Sequence, residues 1–151
     1  KVKIDAKDGE PGPLYIRGGS FDGWLKTGDQ FIKKNNKFYY QGRTNDIIKV
    51  GGVWVAPNII ESKINEHPDI IEAAVVQSTD KNGLHVPKAY LITKNIKNEI
   101  KLKNELKRMC IDNLPPNYFP KQFEIVDRLP KTDTGKIMRS ELRKNPTRSN
   151  H

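Results

Sequence analysis

The stretch "APNIIESKINEHPDIIEAAVV", residues 56–76, determines the fold that this sequence predicts. Pro57 and Pro68 bracket a helical pattern, because proline suits the first turn of a helix and cannot continue one. The buried stripe of this helix is expected to be Ile59, Ile60 and Ile64. The apolar run that follows predicts a strand in the centre of a sheet, buried on both faces.

The segments around this stretch extend the pattern to the order β, α, β, β, α, β, α. Before this stretch, "NDIIKVGGVWV" contains two short apolar runs. After it, "HVPKAYLIT" is a further strand, "PPNYFPKQFEIVDRLP" is a proline-punctuated loop and a last strand, and "RSELRK" is a short helix. A long helix in between is predicted to have most of its apolar residues on one face: Ile100, Leu102, Leu106, Met109 and Cys110. The order predicts a small two-layer α+β domain over residues 45–145.

Residues 1–44 have β signals, and residues 146–151 are predicted to be a frayed tail. "GPLYIRG" is a short strand, and "QFIKKNNKFYYQG" is a hairpin with Asn35 and Asn36 at its tip. Between them, "SFDGWLKTGDQ" has the composition of a turn. The first segment is therefore expected to be a β-rich part of a different domain.

Composition limits the possible function classes. The chain has 151 residues and a formal net charge of +9, from 27 Lys plus Arg against 18 Asp plus Glu. The single cysteine, Cys110, excludes an internal disulfide framework and predicts a reducing, cytoplasmic location. No apolar run approaches the roughly 20 residues of a membrane span. His67 and His85 are expected on the surface, without the spacing of a metal site.

Two glycine-bearing clusters contain candidate binding residues. In "GWLKTGD", Asp29 follows a tight turn, and its carboxylate suits a vicinal diol such as a ribose. In "GRTNDIIKVGG", Arg43 ends a strand, where a guanidinium can reach a phosphate or a ribose oxygen. The alternatives are an aspartate that closes an ordinary hairpin and an exposed arginine in a linker.

The same second cluster marks the passage between the two parts of the chain. Asn45 and Asp46 lie where a hinge would absorb backbone rotation. Gly51 and Gly52 would let the backbone pass close to a ligand or a neighbouring domain. A linker with a plain glycine turn is the alternative.

The third cluster is "LPKTDTGKIMRSELR", in which a polar loop presents Lys136. The long stem and compact cation of lysine suit entry into another domain's cleft, where the ammonium could bind a phosphate or carboxylate. The alternative is a surface turn before a helix, capped by Thr134 or Asp133.

Taken in order, the three clusters, with "NIIE" after the second, resemble the adenylate-forming enzymes. These include acyl-CoA synthetases, aryl-CoA ligases, luciferases and the adenylation domains of peptide synthetases. The resemblance covers nearly the whole chain. It implies the C-terminal lid domain of such an enzyme, preceded by a β-rich remnant of the large N-terminal domain. "KVGGVWVAPNIIE" looks most like the benzoate and related aryl-CoA ligases.

The resemblance also implies roles for individual residues. Asp29 would bind the ribose hydroxyls of ATP or the adenylate, and Arg43 would contact ribose and phosphate. Lys136 would bridge the carboxylate and the α-phosphate during adenylation. The hinge falls on Asn45 and Asp46, where the family usually has Asp or Lys at the first position.

CoA binding is implied at three further positions. Gly51 and Gly52 would line the passage for the pantetheine thiol, and Lys121 would contact the CoA nucleotide. The implied substrates are ATP, CoA and an aromatic carboxylic acid, with Mg²⁺ held by the N-terminal domain of the same enzyme. That domain's phosphate-binding loop and acyl pocket are not in the sequence, so the chain alone is expected to be inactive. The passage through Ser20 and Phe21 is also shorter than is usual in the family.

Two alternative functions stay open. A basic α+β module could bind nucleic acid, but such modules have aromatic residues interleaved with arginines. The tyrosine and phenylalanine pairs of this chain do not lie in an Arg-rich strand. Within the same family, an adenylation domain that loads a carrier protein would use the same lid.

Overall fold

The computed structural model describes residues 1–18 and 22–144. The predicted tail and the short passage at Ser20 and Phe21 lie outside the described residues. The chain divides into two compact units, Lys1–Ile47 and Ile48–His151. Each unit has its own sheets and is described by itself.

The first unit is a four-stranded antiparallel sheet. Its strands are β1 (Val2–Ile4), β2 (Pro11–Ile16), β3 (Leu25–Lys34) and β4 (Lys37–Arg43), paired in that order. The predicted hairpin is confirmed. Asn35 and Asn36 join β3 to β4 with φ angles of 51° and 61°, as a two-residue turn with left-handed backbone requires.

The stretch "LKTGD", predicted as part of a turn, is instead the first half of β3. Pro13 pairs with Gln30 and Tyr15 pairs with Lys26, so β3 has extra residues opposite Leu14 and forms a bulge there. Gly28 lies in this bulge with a φ of 84°. The glycine thus has the expected turn-like backbone, but the strand continues through it.

The second unit begins with a hairpin and a helix. Strands β5 (Ile48–Val50) and β6 (Val53–Val55) are joined by Gly51 and Gly52, both with positive φ. Helix α1 (Pro57–Ile64) then starts at its proline, as predicted. Ile60 and Ile64 are fully buried.

A three-stranded sheet forms the centre of the second unit. It contains β7 (Ile70–Thr79), β8 (His85–Thr93) and β9 (Gln122–Ile125) in the order β7-β8-β9. Strands β7 and β8 are antiparallel, whereas β8 and β9 are parallel. The prediction that β7 is central is wrong, since β8 occupies that place. The middle of β7, residues 73–76, is apolar and buried because both of its faces are covered.

Helices cover the two faces of this sheet unequally. The larger core combines α1 and α2 (Glu99–Asn113) with alternate sheet residues such as Ala73 and Val75. The smaller core, on the opposite face, packs Ala74 and Val76 against Leu142 of α3 (Arg139–Lys144). The α+β prediction is confirmed.

The apolar face predicted for α2 is largely confirmed. Leu102, Leu106 and Cys110 are buried at i, i+4 and i+8 spacing. Ile100 was assigned to this face incorrectly, because its side chain is 74% exposed. It lies in the first turn of the helix, at a position off the i, i+4, i+8 stripe. Among the described residues, no helix combines the length and the apolar character of a membrane span.

Candidate functional site

Asp29 and Arg43 are direct cross-strand partners in the first unit. Nη1 of Arg43 donates to Oδ1 of Asp29 at 2.8 Å and to the carbonyl oxygen of Thr27 at 3.3 Å. The arginine side chain is 58% exposed and the aspartate side chain 29% exposed. The pair therefore combines an exposed cation with a partly exposed carboxylate on two adjacent strands.

The Gly28 bulge brings the backbone against the Arg43 guanidinium. A Cβ added at Gly28 would lie 2.6 Å from Nη2 of Arg43. No side chain larger than hydrogen fits there unless the guanidinium moves. Gly28 thus leaves the space that the Arg43 guanidinium occupies, and its positive φ shapes the backbone next to Asp29.

Thr44 fixes the end of β4 to the same bulge. Its backbone N–H and its hydroxyl both donate to the carbonyl oxygen of Gly28, each at 2.9 Å. Its hydroxyl also accepts from Nε2 of Gln30 at 3.1 Å. The predicted hinge residues Asn45 and Asp46 follow in a turn, where the N–H of Asp46 donates to Arg43 O at 2.9 Å. Hydrogen bonds thus tie the chain to β3 as far as Thr44, and residues 44–46 form a turn.

Lys136 lies in a tight loop of the second unit, where a lone bridge pairs Lys131 with Ile137. The N–H of Thr132 donates to Lys136 O at 2.8 Å, and Gly135, at φ 87°, closes the turn by donating to Thr132 O. The Thr132 hydroxyl accepts from the N–H of Lys136 at 3.2 Å. The backbone of Lys136 is therefore fixed at both its N–H and its carbonyl.

The side chain of Lys136 is exposed to solvent. Within residues 1–18 and 22–144, no carboxylate lies at ion-pair distance from its ammonium. In the same loop, Nζ of Lys131 pairs with Oε2 of Glu72 at 2.9 Å. Thr134 and Asp133 do not cap α3, because the helix starts at Arg139. The loop thus presents one cation to solvent while a second is tied to the sheet.

The end of the β5–β6 hairpin that leads into α1 is supported from the loop after α2. The hydroxyl of Tyr118 donates to Trp54 O at 2.8 Å and accepts from the N–H of Ala56 at 3.4 Å. Burial raises the pKa of the Tyr118 phenol, and the hydrogen bond from Ala56 opposes this shift. Tyr118 thus holds the end of the β5–β6 hairpin.

Lys121, the other residue predicted for CoA, lies just before β9. Its N–H donates to Pro87 O at 3.0 Å, and its side chain is exposed. The backbone is therefore fixed to β8 while the amine is free to reach into solvent.

A separate depression of about 910 Å³ lies over α2, and none of the predicted site residues lines it. His67 borders it. This histidine was predicted on the surface, but it is buried, with Nε2 2.8 Å from Oε2 of Glu105 and Nδ1 accepting the N–H of Asp69. These contacts join α2 to the end of α1, so His67 has a structural setting.

Glu61 is a buried carboxylate that sequence reasoning missed. Its Oε2 accepts the N–H of Val75 at 2.8 Å and Nε of Arg139 at 3.1 Å. Its Oε1 contacts Nη2 of Arg139. The "NIIE" motif pointed to the residue, but the partner lies 78 positions away.

Known proteins are similar to this chain in both sequence and fold. The family described as AMP-binding enzyme C-terminal domain matches residues 59–136. The chain belongs to this family. The recognised resemblance to adenylate-forming enzymes is thereby confirmed.

Three relatives show how far the similarity of this AMP-binding enzyme C-terminal domain extends. A 4-hydroxybenzoate–CoA/benzoate–CoA ligase of Rhodopseudomonas palustris is 36% identical over 92% of the chain, which spans 29% of that protein. An acetyl-coenzyme A synthetase of Bacillus subtilis is also 36% identical, over 80% of the chain and 22% of that protein. The crystal structure of an anthranilate CoA ligase in complex with anthranoyl-AMP superposes with a TM-score of 0.85 and 31% identity, over 95% of the chain and 33% of that structure.

The chain thus spans a third or less of the length of each of these relatives. Asp29 and Arg43 are in the first unit, and Lys136 is in the AMP-binding enzyme C-terminal domain. Of the predicted site residues, the structure joins Asp29 and Arg43 directly.

Proposed function

We propose that this chain is the C-terminal part of an ATP-dependent acid–CoA ligase. The complete enzyme would activate a carboxylic acid as an acyl-adenylate and then transfer the acyl group to CoA. The observation that carries the proposal is Lys136, an exposed ammonium on a backbone-anchored loop of a domain whose family is known. The remainder of the enzyme would supply the acid pocket and the phosphate-binding loop.

Lys136 is proposed to act in the first half-reaction. Adenylation brings a carboxylate against the α-phosphate of ATP, and these two anions repel each other. A positioned ammonium between them offsets the negative charge that develops in the transition state. The effect is strongest in a cleft with little water, because screening is weak there. An exposed lysine with no ion-pair partner among the described residues enters such a cleft without breaking a contact of its own.

Asp29 and Arg43 are proposed to bind the nucleotide. The Asp29 carboxylate accepts two hydrogen bonds from a vicinal diol, which suits the 2′ and 3′ hydroxyls of ribose. Arg43 lies 2.8 Å from this carboxylate and retains further N–H donors for a ribose oxygen or phosphate. Their mutual hydrogen bond orients both groups before the nucleotide arrives.

Thioester formation requires a different arrangement, because the thiol of CoA must reach the adenylate that Lys136 helped to form. We place the pivot at Asn45 and Asp46, directly after the anchored Thr44. Gly51 and Gly52 are proposed to line the thiol passage, where the turn has no Cβ atoms to obstruct it.

Lys121 is proposed to bind the phosphates of the CoA nucleotide through its exposed amine.

We assign Mg²⁺ to the remainder of the enzyme. In the part of the chain that the structure describes, no group of three or more His, Cys, Asp or Glu side chains could hold a metal. The enzyme is proposed to work in the cytoplasm, in keeping with the single cysteine of this chain, Cys110, which is free and buried.

An aromatic acid is the proposed substrate class. The support is the similarity to a 4-hydroxybenzoate/benzoate ligase and to an anthranilate ligase. The equal identity to an acetyl-CoA synthetase makes an aliphatic acid the rival outcome.

ATP–pyrophosphate exchange by the complete protein, with a panel of aromatic and aliphatic acids, tests both levels of the proposal. We expect exchange with benzoate-like acids and none from the 151-residue chain alone. Exchange only with aliphatic acids would overturn the substrate class, and no exchange with any acid would overturn adenylation. CoA and a carrier protein are then compared as acceptors, and salt-dependent RNA binding without exchange would favour the nucleic-acid alternative.

A further inference from the structure

The carboxylate of Glu61 is buried between α1 and β7. Its side chain is only 8% exposed, yet it accepts two hydrogen bonds from Arg139 and one from the backbone of Val75. Val75 lies on the edge strand of its sheet, and its N–H points away from β8. A buried carboxylate is costly unless it is fully paired, so these contacts determine where Arg139 can lie.

Arg139 is the first residue of α3 and follows Lys136 by three positions. Its side chain is only 18% exposed, and its Nε and Nη2 contact different oxygens of Glu61. A bidentate contact of this kind fixes the plane of the guanidinium as well as its distance from the carboxylate. Arg139 therefore ties the C-terminal end of the loop that carries Lys136 to the buried Glu61 carboxylate.

The ion pair at the other end of the loop is more exposed. Lys131 pairs with Glu72, but the two side chains are 40% and 27% exposed. Surface pairs of this kind contribute little. Ile137 packs at the margin of the smaller core, and the N–H of Met138 donates to Pro130 O at 2.8 Å. Of the two ion pairs at the ends of the loop, the one between Glu61 and Arg139 is thus the more buried.

We propose that Glu61 and Arg139 are positioning residues for adenylation. Their ion pair holds the loop so that the Lys136 ammonium reaches its place between carboxylate and α-phosphate. This inference rests on the proposed function. It adds that the two residues act on the first half-reaction and not on thioester formation, because only the first uses Lys136.

Loss of the ion pair would let the loop shift without removing the lysine. A displacement of about 1 Å of a catalytic group can reduce a rate by roughly 100-fold. We expect Arg139→Gln to lower kcat for adenylation by about 10- to 100-fold. The KM for ATP should stay within about threefold, because Asp29 and Arg43 are untouched.

The test compares Arg139→Gln, Glu61→Gln and the double variant in the complete protein. Arg139→Gln leaves a buried carboxylate whose remaining hydrogen-bond donor, among the residues that the structure describes, is the Val75 N–H, so this change lowers stability. In the double variant the buried charge is gone, and we expect the melting temperature to recover while adenylation stays low. Arg139→Lys keeps the positive charge but cannot make the bidentate contact, so its rate of adenylation should lie between those of the unchanged protein and Arg139→Gln. Arg108→Gln, at an exposed pair on α2, is the matched control.

Both half-reactions are measured, as pyrophosphate exchange and as thioester formation from supplied acyl-adenylate. The inference is supported when exchange falls in the single and double variants and thioester formation stays within about threefold. Recovery of exchange together with stability in the double variant would show that the pair is merely structural. A parallel loss of both half-reactions would also overturn the inference. If Lys136→Ala itself leaves exchange intact, the proposed function fails and this inference fails with it.

Discussion

Replacement of Gly28 by alanine would disturb Asp29 and Arg43, the proposed nucleotide-binding pair, without removing either charge. Gly28 has a φ of 84°, and an added Cβ would lie 2.6 Å from Nη2 and 3.1 Å from Cζ of Arg43. An alanine in this backbone region costs about 1–2 kcal/mol. The steric contact adds little, because the exposed guanidinium can swing away. We therefore expect the free energy of unfolding to fall by about 1–2 kcal/mol.

The displaced guanidinium should have a larger effect on nucleotide binding. Loss of a hydrogen bond to a charged group costs about 1.5–3 kcal/mol, or roughly 10- to 100-fold in affinity. Gly23→Ala is the matched control, since Gly23 has a φ of 91° and an added Cβ would have no atom within 4 Å. It introduces the same backbone strain without moving Arg43.

AMP binding to the complete protein is measured by titration calorimetry, and stability by urea unfolding. Both alanine variants should lose similar stability, and Gly28→Ala alone should bind AMP more weakly. Equal AMP affinity in the two variants would refute the reasoning, because it would show that the position of Arg43 does not govern nucleotide binding.

Three further predictions concern stability and reactivity. Leu106→Ala, at a fully buried position, should lower the free energy of unfolding by about 2–5 kcal/mol in urea, whereas Ile100→Ala on the same helix should change it by less than about 0.5 kcal/mol. Burial raises the pKa of the Cys110 thiol from 9.0 to about 11, so its contribution to stability is complete below pH 9 and is lost as the pH rises toward 11. Native Cys110 should therefore react slowly with a thiol reagent at pH 8 and quickly in urea; fast native labelling would contradict its burial. Asn36 has a φ of 61°, so Asn36→Gly should be tolerated. Asn36→Val should lower the free energy of unfolding, measured by thermal denaturation, by about 1–2 kcal/mol.

Local signals in the sequence predicted much of this fold. Proline at the start of α1, paired asparagines in the β3–β4 turn and paired glycines in the β5–β6 turn each act through the backbone of their own residues. Such effects do not depend on distant contacts, and these elements lie where they were predicted. The bulge at Gly28 was read as a turn because glycine supplies positive φ in both settings.

Long-range packing accounts for the errors. The apolar run of β7 indicated burial correctly, but burial by helices and by neighbouring strands leaves the same pattern. His67 and Glu61 are polar residues whose burial depends on partners 38 and 78 positions away, Glu105 and Arg139. No single-sequence pattern specifies such a pair. The loop that carries Lys136 could be predicted, whereas the anchor that holds it required the structure.

The most direct test of the account is to measure both half-reactions in Lys136→Ala, with Lys131→Ala as the control. Lys131 lies in the same loop, but its ammonium pairs with Glu72. We expect Lys136→Ala to abolish pyrophosphate exchange while thioester formation from supplied acyl-adenylate largely survives, and Lys131→Ala to retain most of both activities. Undiminished exchange in Lys136→Ala, or an equal loss of both half-reactions, would contradict the claim that this exposed ammonium promotes adenylation.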